Sequence, residues 1–233
     1  MSHEKVLAYS VDVYPFHDVM KNVLGTSIDL KKAHTIIEES VNWDQITFQN
    51  DTSTMFHTRY YKSPNYSKMV DLYQKFIKEY LLPQLEEDVY IVQKEPSFRI
   101  HIPNNTALGK REDDTNDEMI GLHCDGDYNH PTDEMNYMIS ITGQADTNSC
   151  YVETEPGKGD FHPINIQYGE VFRFYGNQCR HFNKKNITED TRISLDFRVI
   201  PGSKYKAAEE AAVHSGRKFV IGGYYFMVTK GDT

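Results

Sequence analysis

Between Arg192 and Val199 polar and apolar residues alternate without a break: Arg192, Ser194, Asp196 and Arg198 take the even positions, and Ile193, Leu195, Phe197 and Val199 the odd ones. A period of two is that of a β-strand, whose successive side chains point to opposite faces. This strand therefore has one apolar face and one face with three charges. Shorter β-type runs fall at residues 89–102, 119–123, 136–142, 149–154, 160–167, 170–175 and 218–229. Turn-forming pieces separate them, such as Glu155-Pro-Gly-Lys-Gly and Tyr168-Gly169. The N-terminal third reads differently. Residues 4–15 carry an opening strand that Pro15 closes, and 18–24 a short helix. Over 29–40, Leu30, Ala33, Ile36 and Ile37 recur at helical spacing behind Asp29, a candidate N-cap. Residues 65–85 form the clearest helix, with Met69, Leu72, Tyr73, Phe76, Ile77 and Tyr80 on one stripe. The stretch 43–61, rich in threonine and aromatics, has no clear period and reads as strand and loop.

Helices first and a series of short strands afterwards predict an α+β chain in which helices support one face of an antiparallel double sheet. Helical support is expected over about 16–85 and the β core over about 88–229, in one domain spanning 1–233, since no repeat, low-complexity tract or linker divides the chain. A length of 233 residues with 39% hydrophobic content suffices for a sizeable core. The formal net charge of −9 argues against nucleic acid or an anionic membrane as the main partner, because either calls for a basic face. It favours a neutral or cationic small molecule. The chain shows no secretory leader and no apolar run long enough for a bilayer, and Cys124, Cys150 and Cys179 are too few for a disulfide framework. A soluble, cytoplasmic protein is expected.

Candidate chemistry centres on Ile120-Gly-Leu-His-Cys-Asp-Gly-Asp-Tyr128. In an extended segment His123 and Asp125 point to the same side, where an imidazole and a carboxylate can share a metal. Arg180-His181-Phe182 offers a third ligand, in competition with His101, His130 and His162. Two histidines and one carboxylate leave three coordination positions open, the arrangement of non-haem Fe(II) oxygenases. By itself a His-x-Asp pair is a weak motif in a chain with ten histidines. Arg192 adds to it. A guanidinium projecting into a barrel is costly unless it meets an anion, and a carboxylate-bearing cosubstrate supplies one.

The set His123-x-Asp125, His181 and Arg192-x-Ser194 resembles the iron(II)- and 2-oxoglutarate-dependent dioxygenase superfamily. More narrowly, residues 148–161 and 192–201 resemble its branch that includes a streptomycin-biosynthesis protein. The resemblance runs from near Phe98 to Pro201. It implies a double-stranded β-helix (jelly-roll, cupin-like) core, with His123, Asp125 and His181 as iron ligands. His181 is preferred over the other histidines because it stands eleven residues before Arg192, as the superfamily has it. Arg192 becomes the partner of the distal carboxylate of 2-oxoglutarate and Ser194 a second hydrogen bond to it. The implied reaction consumes O2, releases succinate and CO2, and hydroxylates a small molecule; amino acids, sugar-like compounds and secondary metabolites all fit. Asp125 argues against the halogenases of the superfamily, which lack this carboxylate.

Two further residues are candidates for the cosubstrate site. Arg99 either touches cosubstrate or substrate or makes a structural ion pair, and Asn136 either hydrogen-bonds the keto acid or starts a strand. Arg198 shares a face with Arg192 and binds a substrate anion or pairs with a nearby acid. Cys124 and Cys179 read as packing residues. Tyr224-Tyr225 reads as returning a late strand to the sheet, and the charged run 111–118 as a solvated loop or a lid. Two other readings compete: a cupin-like metalloenzyme, isomerase or dioxygenase, that does not use 2-oxoglutarate, and a non-catalytic jelly-roll binding module. Arg192-x-Ser194 speaks against the first and the intact ligand set against the second.

Overall fold

The computed structural model describes residues 3–36, 52–109, 116, 118–207, 216 and 218–231. In chain order its elements are β1 (Lys5–Ala8), α1 (Phe16–Leu24), a 3-10 segment (Leu30–Ile36), α2 (Met55–Tyr61), α3 (Tyr66–Lys75), β2 (Val89–Gln93), β3 (Ser97–His101), β4 (Ile120–His123), β5 (Met135–Ser140), β6 (Cys150–Val152), β7 (His162–Pro163), β8 (Glu170–Phe174), β9 (His181–Asn183), β10 (Arg192–Pro201) and β11 (Tyr225–Thr229).

The strands form two antiparallel sheets. The larger has the order β1-β8-β5-β10-β2-β11, with β3 also paired to β10, and the smaller has the order β4-β9-β6-β7. β10 is the centre of the larger sheet. Its odd residues Ile193, Leu195, Phe197 and Val199 are buried against Phe16, Met20, Tyr73, Phe76 and Ile77 of the helical layer. Its even residues face the smaller sheet, in the space also lined by Met138, Cys150 and Phe174. The alternation in the sequence thus sorts an apolar face to the helices and a charged face to the interior.

Helix geometry follows the same logic. α1 ends at Gly25, whose φ of 66° lies in the left-handed region, and the Gly25 and Thr26 amides bond back to Asn22 and Lys21. The predicted helix over 65–85 is continuous but changes geometry. α3 passes into a π turn at Phe76–Leu81 and a 3-10 turn at Leu82–Gln84 that contains Pro83. The buried pairs Phe76-Ile77 and Leu81-Leu82 stand five residues apart, a spacing that a π turn brings onto one face. The helix expected over 29–40 is the 3-10 segment, and its residues from 37 onward lie outside the described residues. The expectation of strand and loop over 43–61 is corrected at its end, where α2 forms because Phe56 and Tyr60, one turn apart, are both fully buried and Tyr60 stacks on Phe98 at 4.5 Å. There tertiary burial overrides the β preference of threonine and aromatics. Residues 43–51 and most of the charged run 111–118 lie outside the described residues. Among the described residues, no helix is long and apolar enough to cross a membrane.

Phe197 connects the layers: it stacks on Tyr137 at 5.3 Å and meets Tyr73 edge-on at 5.2 Å. Replacing Phe197 by alanine leaves a cavity under α3 and is expected to cost about 3–5 kcal/mol. A lowered urea midpoint with unchanged slope is the measurement that checks it.

Candidate metal centre

β4 ends at His123, Cys124 stays extended, and Asp125 opens a 3-10 turn, Asp125–Tyr128. The i, i+2 geometry predicted from the sequence therefore survives although the strand stops before the carboxylate. The turn is docked by its own backbone: the Asp125 amide donates to Gly176 O at 2.8 Å and the Gly126 amide to Asn177 O at 2.9 Å. A Cβ at Gly126 would sit 2.9 Å from Asn177 O, so this approach requires glycine. β9 pairs with β4 and sets His181 opposite His123.

The two imidazoles have ring centres 4.2 Å apart, and Nε2 of each lies 3.7 Å from Asp125 Oδ1. Each turns Nδ1 to a backbone carbonyl, His123 to Gly121 O at 2.6 Å and His181 to Cys179 O at 3.1 Å. Such outer bonds fix the tautomer that presents Nε2. Burial pulls the His181 imidazole below its ordinary value, keeping it in the neutral form that a metal takes. Burial alone would raise the Asp125 carboxyl, but Arg198, then His130, His181 and His123, hold it well below the usual carboxylate range.

Asp125 Oδ2 accepts three hydrogen bonds, from Asn136 Nδ2 at 2.7 Å and from Arg198 Nη2 and Nε at 2.8 and 3.1 Å. That oxygen is saturated, which leaves Oδ1 to face the histidines. Asn136 and Arg198 thus both serve Asp125, the nearby acid that Arg198 pairs with, while Asn136 Oδ1 has no partner among the described residues and Asn136 lines the cavity. Gly176 makes room for the arrangement, since a Cβ there would sit 2.7 Å from Asn136 Nδ2.

The other end of the cavity is made by Arg192. It is 2% exposed, its Nη2 has a long contact to Asn183 Oδ1 at 3.4 Å and its Nη1 one to Met138 Sδ at 4.0 Å, and its Nε has no partner. Burial without a counter-ion pulls this guanidinium down from its ordinary value. Ser194, its expected helper, donates Oγ to Asp196 Oδ1 at 3.2 Å. Ser140, the cross-strand partner of Ser194, is buried with an unpartnered Oγ. Nothing in the sequence distinguished Ser140, because only strand register sets it opposite Ser194, two residues from Arg192 on β10. Arg99 lines the same cavity and pairs through Nε with Asp196 Oδ2 at 3.3 Å.

The competing histidines lie elsewhere. His101, the cross-strand partner of Arg192, is fully buried with Nε2 2.9 Å from Asn105 O, and burial followed by the Arg192 charge pushes it down to about 3. His162 pairs with Glu4 at 3.2 Å. His130 bonds Glu134 at 2.8 Å, and Glu134 also accepts from Tyr225. Asp125, His130 and Glu134 form a second cluster of possible metal donors among the described residues. Its other two members are already engaged, with His130 and Tyr225 on Glu134, so the His123–Asp125–His181 group is the better candidate. Tyr224-Tyr225 does return a strand, β11, to the larger sheet.

No protein-family model matches the chain. Over 223 residues it is 29% identical to the streptomycin biosynthesis protein StrG of Streptomyces griseus, a similarity that spans 95% of this chain and 97% of that protein. Among solved structures, the non-haem α-ketoglutarate-dependent carbocyclase SnoK from nogalamycin biosynthesis is similar with a TM-score of 0.53 over 98% of this chain and 92% of its own, at 11% identity. That likeness is one of fold. The two sheets and their helical backing form a jelly-roll core, the fold shared with that structure.

Arg198→Met removes both guanidinium bonds from Asp125 Oδ2 and frees the carboxylate to rotate. Affinity for Fe(II) or Co(II) is expected to fall about 10–100-fold. Metal titration followed by the Co(II) absorption spectrum, with circular dichroism to verify folding, measures this.

Proposed function

We propose that the chain is a non-haem iron enzyme that uses 2-oxoglutarate and O2 to oxidise a small molecule, with hydroxylation as the outcome. The observation that carries the reading is Arg192: a buried guanidinium with an unpartnered Nε, in one cavity with two histidines and a carboxylate that present metal-donor atoms to one another. A planar fork of this kind fits a carboxylate in two hydrogen bonds. Neutral imidazoles and one carboxylate suit Fe(II) and leave positions for a chelating keto acid and O2. The donor set therefore fits the group that the fold implies.

In this reading His123, Asp125 and His181 hold the iron. Arg198 and Asn136 would hold Asp125 Oδ2 and leave Oδ1 for the metal, and Arg192 would receive the distal carboxylate of 2-oxoglutarate with Asn183 beside it. With these bound, iron, keto acid and O2 supply the oxidising power, releasing succinate and CO2. Met138, Phe174 and Leu108 give the cavity apolar wall that keeps water from the reacting centre. The protein's part is placement and exclusion of solvent. Similarity to a streptomycin biosynthesis protein supports a secondary-metabolite substrate.

Anaerobic addition of Fe(II) and then 2-oxoglutarate to the purified protein is expected to produce a visible metal-to-ligand charge-transfer band. Arg192→Ala retains iron but needs at least tenfold more 2-oxoglutarate, because truncating one side of a buried charge pair costs about 2–5 kcal/mol. Iron binding with no band in the parent overturns the keto-acid assignment in favour of a cupin-like metalloenzyme.

A further inference from the structure

Each arginine of the cavity has a different degree of engagement. Arg198 spends Nε and Nη2 on Asp125 and Nη1 on Gln93 Oε1 at 3.4 Å. Arg192 stands where the proposed cosubstrate ends. Among the described residues, the Arg99 side chain is held by one bond, from Nε to Asp196, and its two Nη groups make no hydrogen bond. Its side chain is 24% exposed and that of Asp196 19%, so both reach the accessible part of the cavity. Asp196 is in turn oriented by Ser194 Oγ. The arrangement presents the outer edge of a guanidinium from a fixed anchor.

Charge balance says what that edge meets. The described lining holds three guanidiniums, Arg99, Arg192 and Arg198, against two carboxylates, Asp125 and Asp196. A divalent metal and a dianionic keto acid cancel each other. Among these lining groups one positive charge remains, and a charge inside protein without compensation loses much of its hydration. Arg198 has Asp125, with Glu134 beyond it, which leaves the more open Arg99 as the guanidinium with an edge to spare.

We propose that Arg99 is the substrate-anchoring residue and that the substrate carries one anionic group, a carboxylate being the best match to the guanidinium edge. This rests on the iron and 2-oxoglutarate reading and departs from the neutral or cationic substrate that net charge suggests. Asp196 positions Arg99 without touching the substrate anion.

The test uses the anaerobic protein–Fe(II)–2-oxoglutarate complex with saturating keto acid, probed with acetate and benzoate and with acetamide and benzamide as uncharged controls. The carboxylates are expected to shift the charge-transfer band without bleaching it, and the amides to leave it unchanged. In Arg99→Gln the band itself persists at an unaltered 2-oxoglutarate requirement, while the carboxylate response weakens about tenfold or more, the scale of losing one charge-assisted pair. Asp196→Asn keeps the guanidinium but loosens its anchor, giving a smaller loss. Bleaching by carboxylates, no response to either carboxylate, or an equal response to the amides overturns the proposal. So does loss of the 2-oxoglutarate band in Arg99→Gln, which would make Arg99 a cosubstrate residue. Absence of the band in the parent is a different failure, since it removes the premise and the proposal with it.

Discussion

The buried pair of Asp125 and Arg198 is the constraint on which the rest of the site depends. Both side chains are almost wholly withdrawn from solvent, so the pair offsets a large desolvation cost and is not a plain source of stability. What it supplies is geometry. Arg198 belongs to the central strand of the larger sheet, and Asp125 to the turn that follows an edge strand of the smaller one. Two guanidinium bonds and the Asn136 amide lock one carboxylate oxygen, and the other is thereby aimed at both histidines. The distance between the sheets is thus coupled to the shape of the His123–Asp125–His181 group. Gly126 and Gly176 are the places where the backbone gives way to allow it.

A single strand distributes charge along the whole cavity. On β10, side chains two residues apart stand about 6.6 Å from one another. Arg192, Asp196 and Arg198 therefore occupy different depths of one wall, with distinct partners: Asn183, Arg99 and Asp125. The odd residues of the same strand serve the helical core, where Phe197 is held between Tyr73 and Tyr137. Strand alternation lets one ten-residue segment carry both the most polar and some of the most apolar contacts of the protein.

Residues 89–102 read as one strand, yet they are two. Val92 pairs with Val199 and Ser97 with Asp196, so four residues, Gln93 to Pro96, stand against two on β10. The bulge lets Gln93 reach Arg198 and so reinforces the metal side of the cavity. An excess of two residues preserves the parity of the strand. For that reason Tyr90 and Val92 before the bulge share a core with Phe98, Ile100 and Ile102 after it, and the alternation in the sequence runs through the break unmarked.

Much of this was legible before any coordinates. Period-two patterning exposed the strands because burial of one face of a sheet demands it, and the His-x-Asp spacing survived because only the extended Cys124 separates the two ligands. The resemblance then singled out His181 and Arg192. The sequence could not decide which polar groups serve which partners. Arg198, Asn136 and Asp196 are ordinary polar residues in strands until packing brings them to Asp125 or Arg99. Such partnerships join residues as much as 97 positions apart, and no local pattern encodes a contact at that separation. Composition could not speak to the cavity either, because net charge sums the whole surface, whereas a buried site responds to the few charges that tertiary packing places within reach.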